Sequence, residues 1–343
     1  MDKIRAAVIG VGYLGRFHAQ KYAQAVGCEL CAVVDPCEEA RDAVAAELKT
    51  RPLADHRSLL GTVDAVSVVT PTPTHFAIAR EFLESGAHVL VEKPITETIP
   101  EARKLIAIAA RAGRVLQVGH LERFNAAILA AEPHLKYPRF IECHRLAPYR
   151  ERGTDVNVVL DLMIHDIDIV ETIVDSPITS IDAVGTPVFT DEIDIANARI
   201  RFGNGCVANA TASRVSMKTE RKMRIFAGDA YLSLDLQQKI VTVIRKRSAA
   251  DAPGALPVTI EEQSLEPGDA LKAEIDSFLD CIRKRRPPVV SGEAGLRALE
   301  TAMRITEQVQ HSLAQLERRP RGGRARAARP ARAPARGKRA RGR

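Results

Sequence analysis

Tryptophan is absent from this 343-residue chain, and aromatic residues make up only 4% of it. No apolar run approaches the ~20 residues that a membrane-spanning helix requires, which excludes a helical membrane protein. The opening MDKIRAAVIG lacks the layout of a secretory leader and reads as a strand entering a fold, so a cytoplasmic location is expected. Cysteine is sparse, with six residues at 28, 31, 37, 143, 206 and 281. Cys28 and Cys31 form a Cys-x-x-Cys, but no second pair follows, so packed thiols in a reducing compartment are expected instead of a metal centre. From Arg318 to Arg343 there is no acidic and no aromatic residue.

That terminal stretch holds eleven arginines and one lysine among Ala, Pro and Gly. It accounts for the formal charge of +7, because the rest of the chain sets 38 basic residues against 43 acidic ones. Such a composition cannot bury a core, and residues 318–343 are expected to be a disordered basic tail. It is either a solvated extension or a non-specific contact for anionic membrane or nucleic acid. Without aromatic side chains to stack on bases, sequence-specific reading is not expected of it. The remainder is long enough for two domains, and no internal repeat divides it further.

The first domain is expected over residues 1–121. IRAAVI at 4–9 reads as a buried strand and runs into GVGYLG, which sets Gly10, Gly12 and Gly15 in the G-x-G-x-x-G spacing. A helical stretch follows, and a second strand ends at Asp35. Strand, glycine turn, helix and acid in that order form a dinucleotide fingerprint. Gly10 permits the tight turn, Gly12 lets backbone approach a pyrophosphate, and Gly15 allows close helix–strand packing. The helix start, with Tyr13 and Leu14 in its first turn, offers unpaired N–H groups to phosphate. Asp35 can accept from a ribose diol and would repel a 2′-phosphate, so NAD is expected in preference to NADP. Strands at 64–70, 88–94 and 115–120 alternate with helices at about 38–48, 75–85 and 99–112, which predicts a doubly wound parallel sheet.

The second domain is expected over 122–317. Strand-like segments lie near 139–146, 178–186, 194–202, 205–214, 222–227, 231–235 and 239–245, with helices at about 156–174, 268–284 and 293–314. Close spacing and the Gly203-Asn204-Gly205 turn indicate hairpins. The prediction is an α+β domain on a large, mostly antiparallel open sheet.

Glu92-Lys93-Pro94 closes a strand at the carboxyl edge of the parallel sheet, where ligands bind in open α/β folds. A lysine there can hold a hydroxyl and oppose the charge that develops as it loses its proton. A cis peptide at Pro94 would aim it. Thr70-Pro71 ends the strand where a nicotinamide ribose would lie. His75 is counted with them, although a cap or packing role is commoner for a histidine so placed. In VNVVLDLMIHDIDIV, Asp161, His165 and Asp168 stand at i, i+4 and i+7 on an otherwise apolar helix. A polar stripe on a buried helix is costly unless paired or lining a cavity. Asp161 could orient His165, which takes protons near neutral pH. A satisfied structural network is the competing account. No second histidine stands four residues away, so no metal is expected. Glu122, Arg123 and Asn125, after the last strand of the first domain, either line the interdomain cleft or start a helix.

Taken together, GVGYLG, VVD at 33–35, EKP at 92–94 and D-x-x-x-H at 161–165 resemble the Gfo/Idh/MocA family of nicotinamide-dependent sugar and polyol oxidoreductases, over about residues 3–315. The resemblance implies a Rossmann domain, a substrate domain with an open sheet, and dimers or tetramers joined through that sheet. It implies that Lys93, Asp161 and His165 act as the family's lysine, aspartate and histidine. It places Glu92 and Lys93 beside the cofactor, and Arg123, Asn125 and Asp168 toward substrate. VGHLERFN and DLMIHDID are most similar to members acting on nucleotide sugars, the UDP-N-acetylglucosamine 3-dehydrogenases in particular, which supply a 3-keto sugar on the way to amide-linked lipid A. FNAA at 124–127 departs from the expected FNPA and leaves the roles of Arg123 and Asn125 open. The alternatives are a dehydrogenase of inositol, glucose or a UDP-sugar acid, and a non-catalytic NAD-sensing regulator, which would need neither Lys93 nor His165.

Overall fold

Residues 3–150, 156–247, 257–266 and 268–318 are described by the structure, a computed structural model. Of the basic tail, only Arg318 falls within them.

Six parallel strands open the chain: Ile4–Ile9 (β1), Cys28–Val34 (β2), Arg51–Leu53 (β3), Ala65–Val68 (β4), His88–Glu92 (β5) and Leu116–Gly119 (β6). Their order is β3-β2-β1-β4-β5-β6. Ala65–Val68 and Leu116–Gly119 are buried at every position, as strands covered on both faces require. The connecting helices are Tyr13–Gln24 (α1), Glu38–Leu48 (α2), Thr72–Glu84 (α3) and Ile99–Ala112 (α4). A reciprocal capping box between Thr98 and Glu101 starts α4. α3 begins earlier than the predicted 75, because Pro73 sits in its first turn, where a fixed φ and a missing N–H cost nothing. β3 escaped prediction: it is three residues long, contains Pro52 and lies at the sheet edge.

The second sheet has eight strands: Pro138–Leu146 (β7), Ile178–Thr186 (β8), Ile195–Phe202 (β9), Val207–Ser213 (β10), Glu220–Ala227 (β11), Ala230–Asp235 (β12), Ile240–Lys246 (β13) and Val258–Ser264 (β14). The order is β14-β13-β12-β11-β7-β10-β9-β8, and every pair is antiparallel except β7–β10. Its inner face, with Ile141, Met223, Leu232 and Val243, packs on Ala126–Ala131 (α5), Ile164–Val174 (α6) and the last helix, Gly292–Arg318 (α8). β14, VTIEEQS, was missed because its mostly exposed residues carry no alternating apolar pattern.

Two departures bear on the site. Ala270–Lys284 (α7), expected in the second domain, buries Leu271, Ile275, Phe278 and Leu279 with α1 and the parallel sheet. The division at 121/122 therefore does not separate the cores. The helix predicted over 156–174 starts as a five-residue π turn, Val159–Met163, and only then becomes α6.

Candidate active site

The glycine turn leaves room only where a cofactor would need it. Gly10 has φ +87°, and a Cβ there would lie 2.5 Å from the Val69 carbonyl oxygen. A Cβ on Gly15 would lie 1.8 Å from the Gly10 carbonyl oxygen, so helix and strand touch at that point. A Cβ on Gly12 would meet nothing within 4 Å. Gly12 also begins α1 without a side-chain cap, which leaves the N–H groups of the first turn to a ligand. Tyr13 is exposed and Leu14 half-buried beside this turn. The Asp35 carboxylate accepts from the Val11 N–H and the Cys37 N–H, both at 2.9 Å, so the acid also ties the β2 tip to the glycine turn. Open space at Gly12, an uncapped helix start and an acid at the β2 tip fit a dinucleotide.

Some residues grouped with the cofactor do other work. His75 is buried in α3, its ring nitrogens 2.8 Å from the Thr70 carbonyl oxygen and 2.9 Å from that of Pro94. It clamps the β4 turn onto the turn carrying Lys93 and does not face the cleft. Its packing role thus replaces the cofactor role. Thr70 accepts from the Thr74 hydroxyl at 2.7 Å, which fixes the turn before α3. Pro71 precedes the helix as its cap residue. The Glu92 carboxylate turns inward, 3.1 Å from His18 Nε2 and accepting from the Lys93 N–H at 3.2 Å. His18 in turn meets Ser67, whose hydroxyl is 2.9 Å from the Tyr22 hydroxyl. Glu92 is therefore a buried strut between α1 and β5. The Lys93–Pro94 peptide is cis, as expected.

At the carboxyl end of β5, Lys93 Nζ donates to the Asp161 carbonyl oxygen at 2.7 Å and to Asp161 Oδ1 at 3.3 Å. Asp161 therefore holds Lys93 and not His165, contrary to the reading from an unbroken α-helical stripe. The π turn is the physical reason: Ile164 N–H bonds to the Val159 carbonyl five residues back, which breaks the i, i+4 stacking of Asp161 on His165. His165 is half-buried, and its Nδ1 is shut from solvent without a partner. Burial, with the charges of Lys93 and Arg145, pushes the imidazole well below its ordinary value, so it stands neutral and ready to accept a proton. Edge-on to it, at 6.3 Å between ring centroids, lies His120.

Arg123, Asn125 and Asp168 are tied up among themselves and their neighbours. Arg123 donates to Thr172 and lies 3.6 Å from Asp168 Oδ1. Asn125 caps α5 by accepting from the Ala127 N–H, and its amide donates to Glu122 and the Leu236 carbonyl, so it starts a helix and does not line the cleft. Asp168 is 2% exposed. Arg145, in β7, is buried between Asp166 at 2.7 Å and Glu122 at 2.9 Å, and Arg221 reaches the same Glu122. His18 and the pairing of Arg145 with Glu122 and Asp166 were not foreseen from sequence, and His120 drew no role there. Outward-looking motifs announce themselves by spacing, whereas partners drawn from α1, β6 and β7 meet only in the fold. A surface cavity of about 710 Å³ near Arg114, Arg285 and Pro287 lies at the amino end of β6, away from all of these groups.

A parallel-sheet dinucleotide cradle and a lysine–histidine pair at its carboxyl edge define a nicotinamide-dependent oxidoreductase. The chain belongs to the Gfo/Idh/MocA oxidoreductase family: residues 4–120 match its NAD-binding Rossmann fold and residues 147–314 its C-terminal alpha/beta domain. It is 42% identical to UDP-N-acetylglucosamine 3-dehydrogenase of Acidithiobacillus ferrooxidans over 90% of this chain and 98% of that protein. A solved structure of that enzyme superposes with a TM-score of 0.86 at 41% identity, covering 91% of this chain and 99% of the other. The scyllo-inositol 2-dehydrogenase (NAD(+)) of Bacillus subtilis is 26% identical over 91% of this chain and 95% of its own length. Scyllo-inositol dehydrogenase from Lactobacillus casei, solved with NAD(H), shares the fold at a TM-score of 0.74 and 20% identity, over 91% and 98% of the two chains.

Proposed function

We propose that this protein oxidises a ring hydroxyl of a nucleotide sugar with NAD, and that the substrate is UDP-N-acetylglucosamine, converted to its 3-keto form. One observation carries the chemistry: Lys93, anchored by Asp161, and a neutral His165 lie together at the carboxyl edge of the sheet that bears the cradle. Bound NAD, held over the Gly10–Gly15 turn, would supply the hydride acceptor for the carbinol carbon. His165 takes the hydroxyl proton, and the Lys93 ammonium opposes the negative charge growing on that oxygen. A positioned base typically contributes ~10²–10⁴-fold, and a charged donor of this kind about 10²–10³-fold. Gly10, Gly12 and Gly15 shape the pyrophosphate site and Asp35 the adenosine ribose site.

The substrate rests on the 42% identical relative, which covers nearly the whole chain. A sugar acid is disfavoured, because Arg145 and Arg123 are already paired with carboxylates. The 3-keto product would then be an amination substrate toward amide-linked lipid A. Six free cysteines accord with a reducing cytoplasm. Assembly into a dimer or tetramer would use the outer face of the eight-stranded sheet. The arginine-rich tail would touch anionic lipid or nucleic acid without sequence preference.

The test is NADH formation with UDP-N-acetylglucosamine, its uronic acid, and free inositol and glucose. Turnover with the first alone is expected. Turnover confined to free polyols would replace the substrate, and none with any of the panel would remove the reading.

A further inference from the structure

Three polar groups lie together behind His165 without partners. They are His165 Nδ1, both ring nitrogens of His120, and Asp168 Oδ2. Buried polar atoms are nearly always paired, so four unpaired atoms in one cluster require an explanation. His120 is 1% exposed, and its backbone is fixed: its N–H donates to the Val118 carbonyl and its own carbonyl accepts from the Arg123 N–H. It is thus held at the end of β6 with its ring against that of His165. The titratable and charged groups around His120 are Asp168 and His165 from α6, Glu92 from β5, Lys93 just past its end, and Arg123 from the turn after β6. Those around His165 are Lys93, Arg145, His120 and Arg221. Since Asp161 is engaged by Lys93, His165 has no orienting group unless this cluster supplies one.

We propose that His120 is the positioning partner of His165, accepting the Nδ1–H of His165 on one ring nitrogen and donating its own N–H to Asp168 Oδ2. The proposal deepens the oxidoreductase reading and rests on it. In this arrangement His165 carries its proton on Nδ1, which leaves the Nε2 lone pair for the substrate. When the hydroxyl O–H bond breaks, the new N–H bond forms at Nε2. The imidazolium charge then faces Asp168 through His120. No proton passes to Asp168; the one at Nε2 leaves to solvent after product departs. The two rings are not yet in hydrogen-bond contact, and catalytic contacts of this kind commonly tighten only when substrate binds. Asp168 has its other oxygen on Arg123, which keeps the carboxylate in place.

The experiment is ¹⁵N NMR of the histidine side chains, with NADH bound, in the full chain and in the His120→Gln, His120→Phe and Asp168→Asn variants. In the parent, His165 is expected as the Nδ1–H tautomer. His120→Phe and Asp168→Asn should mix its tautomers, and Asp168→Asn should also lower its titration midpoint by about one unit, an effect of the size one neighbouring charge produces. His120→Gln, which can accept and donate, should restore part of the parent behaviour. In turnover, kcat should fall about 10- to 100-fold in His120→Phe, with KM and NADH affinity within about twofold. An unchanged His165 tautomer and midpoint in both His120→Phe and Asp168→Asn overturns the proposal. So does a loss of kcat matched by lost folding with the tautomer intact. Should the His120 variants not fold, Asp168→Asn decides alone. If the parent oxidises no sugar, the functional reading fails while the NMR arm still judges the pairing.

Discussion

His165 is the residue on which most turns. Its environment depresses its proton affinity, with burial first and the Lys93 charge second. A depressed histidine adds stability that is present above the unfolded value near 6.5 and is lost as pH falls below it. The same environment keeps the base unprotonated through neutrality, so kcat/KM should hold level from pH 8 down to about 6.5 and decline only in more acid solution. Lys93→Ala and His165→Ala should each lower kcat by about 10²-fold or more, while NADH titration by fluorescence still shows binding. Near-parent kcat in both would remove their roles. Both residues were legible because each sits in a short pattern with a physical meaning, a lysine at a strand's carboxyl end and a histidine on an apolar helix. Their partners were not. Assigning Asp161 to His165 required an unbroken helix, and nothing in VVLDLM announces that its backbone widens into a π turn.

Among the elements, α6 shows how a helix is held between a sheet and a second helix. It packs on β7 and on α8, and Glu171 on its outer side accepts from the Thr301 hydroxyl of α8. Burial raises the Glu171 carboxyl from 4.5 to about 7, with Thr301 and Arg297 pulling the other way. The folded protein therefore holds this proton more tightly than the unfolded chain does. Stability from this group falls as pH rises from about 4.5 to about 7, and the cost is complete above that. Glu171→Gln keeps the acceptor for Thr301 and removes the ionisation. It should raise stability at pH 8 by about 1 kcal/mol, a value reduced for the side chain's partial exposure, and leave it unchanged at pH 4.5. Thermal melts at the two pH values check this; an equal shift at both would point to packing instead. The elements were largely readable from sequence. Buried strands such as AVSV stand out as apolar runs, and β11 to β13 show alternation. α7 was located correctly but given to the wrong core, because an amphipathic helix shows that it has a buried face and not what covers it.

The whole molecule exposes one feature that neither domain explains alone. The inner face of the eight-stranded sheet is covered by α5, α6 and α8. On the other face, paired positions bring Val207, Phe140, Phe226, Tyr231, Ile244 and Ile260 into one row across six adjacent strands. Phe140 lies 5.7 Å from Phe226, and Phe226 4.9 Å from Tyr231, between ring centroids. Ile260 is 58% exposed. Among the described residues no helix of the chain packs over this row. An apolar strip rimmed by Arg224, Glu142 and Thr242 has the layout of a subunit interface, with an apolar centre and a polar border. A two-fold related copy would lay the same strip on itself, as isologous dimers do. Placing a charge at its centre should separate the subunits without disturbing the fold, since Phe226 and Tyr231 point away from the core formed by Ile225 and Leu232. Sedimentation velocity of Phe226→Asp and Tyr231→Asp should show monomers where the parent chain sediments as a dimer or larger, with unchanged far-UV dichroism and retained NADH binding. A parent chain that sediments as a monomer, or variants that stay assembled, would move the interface off this face.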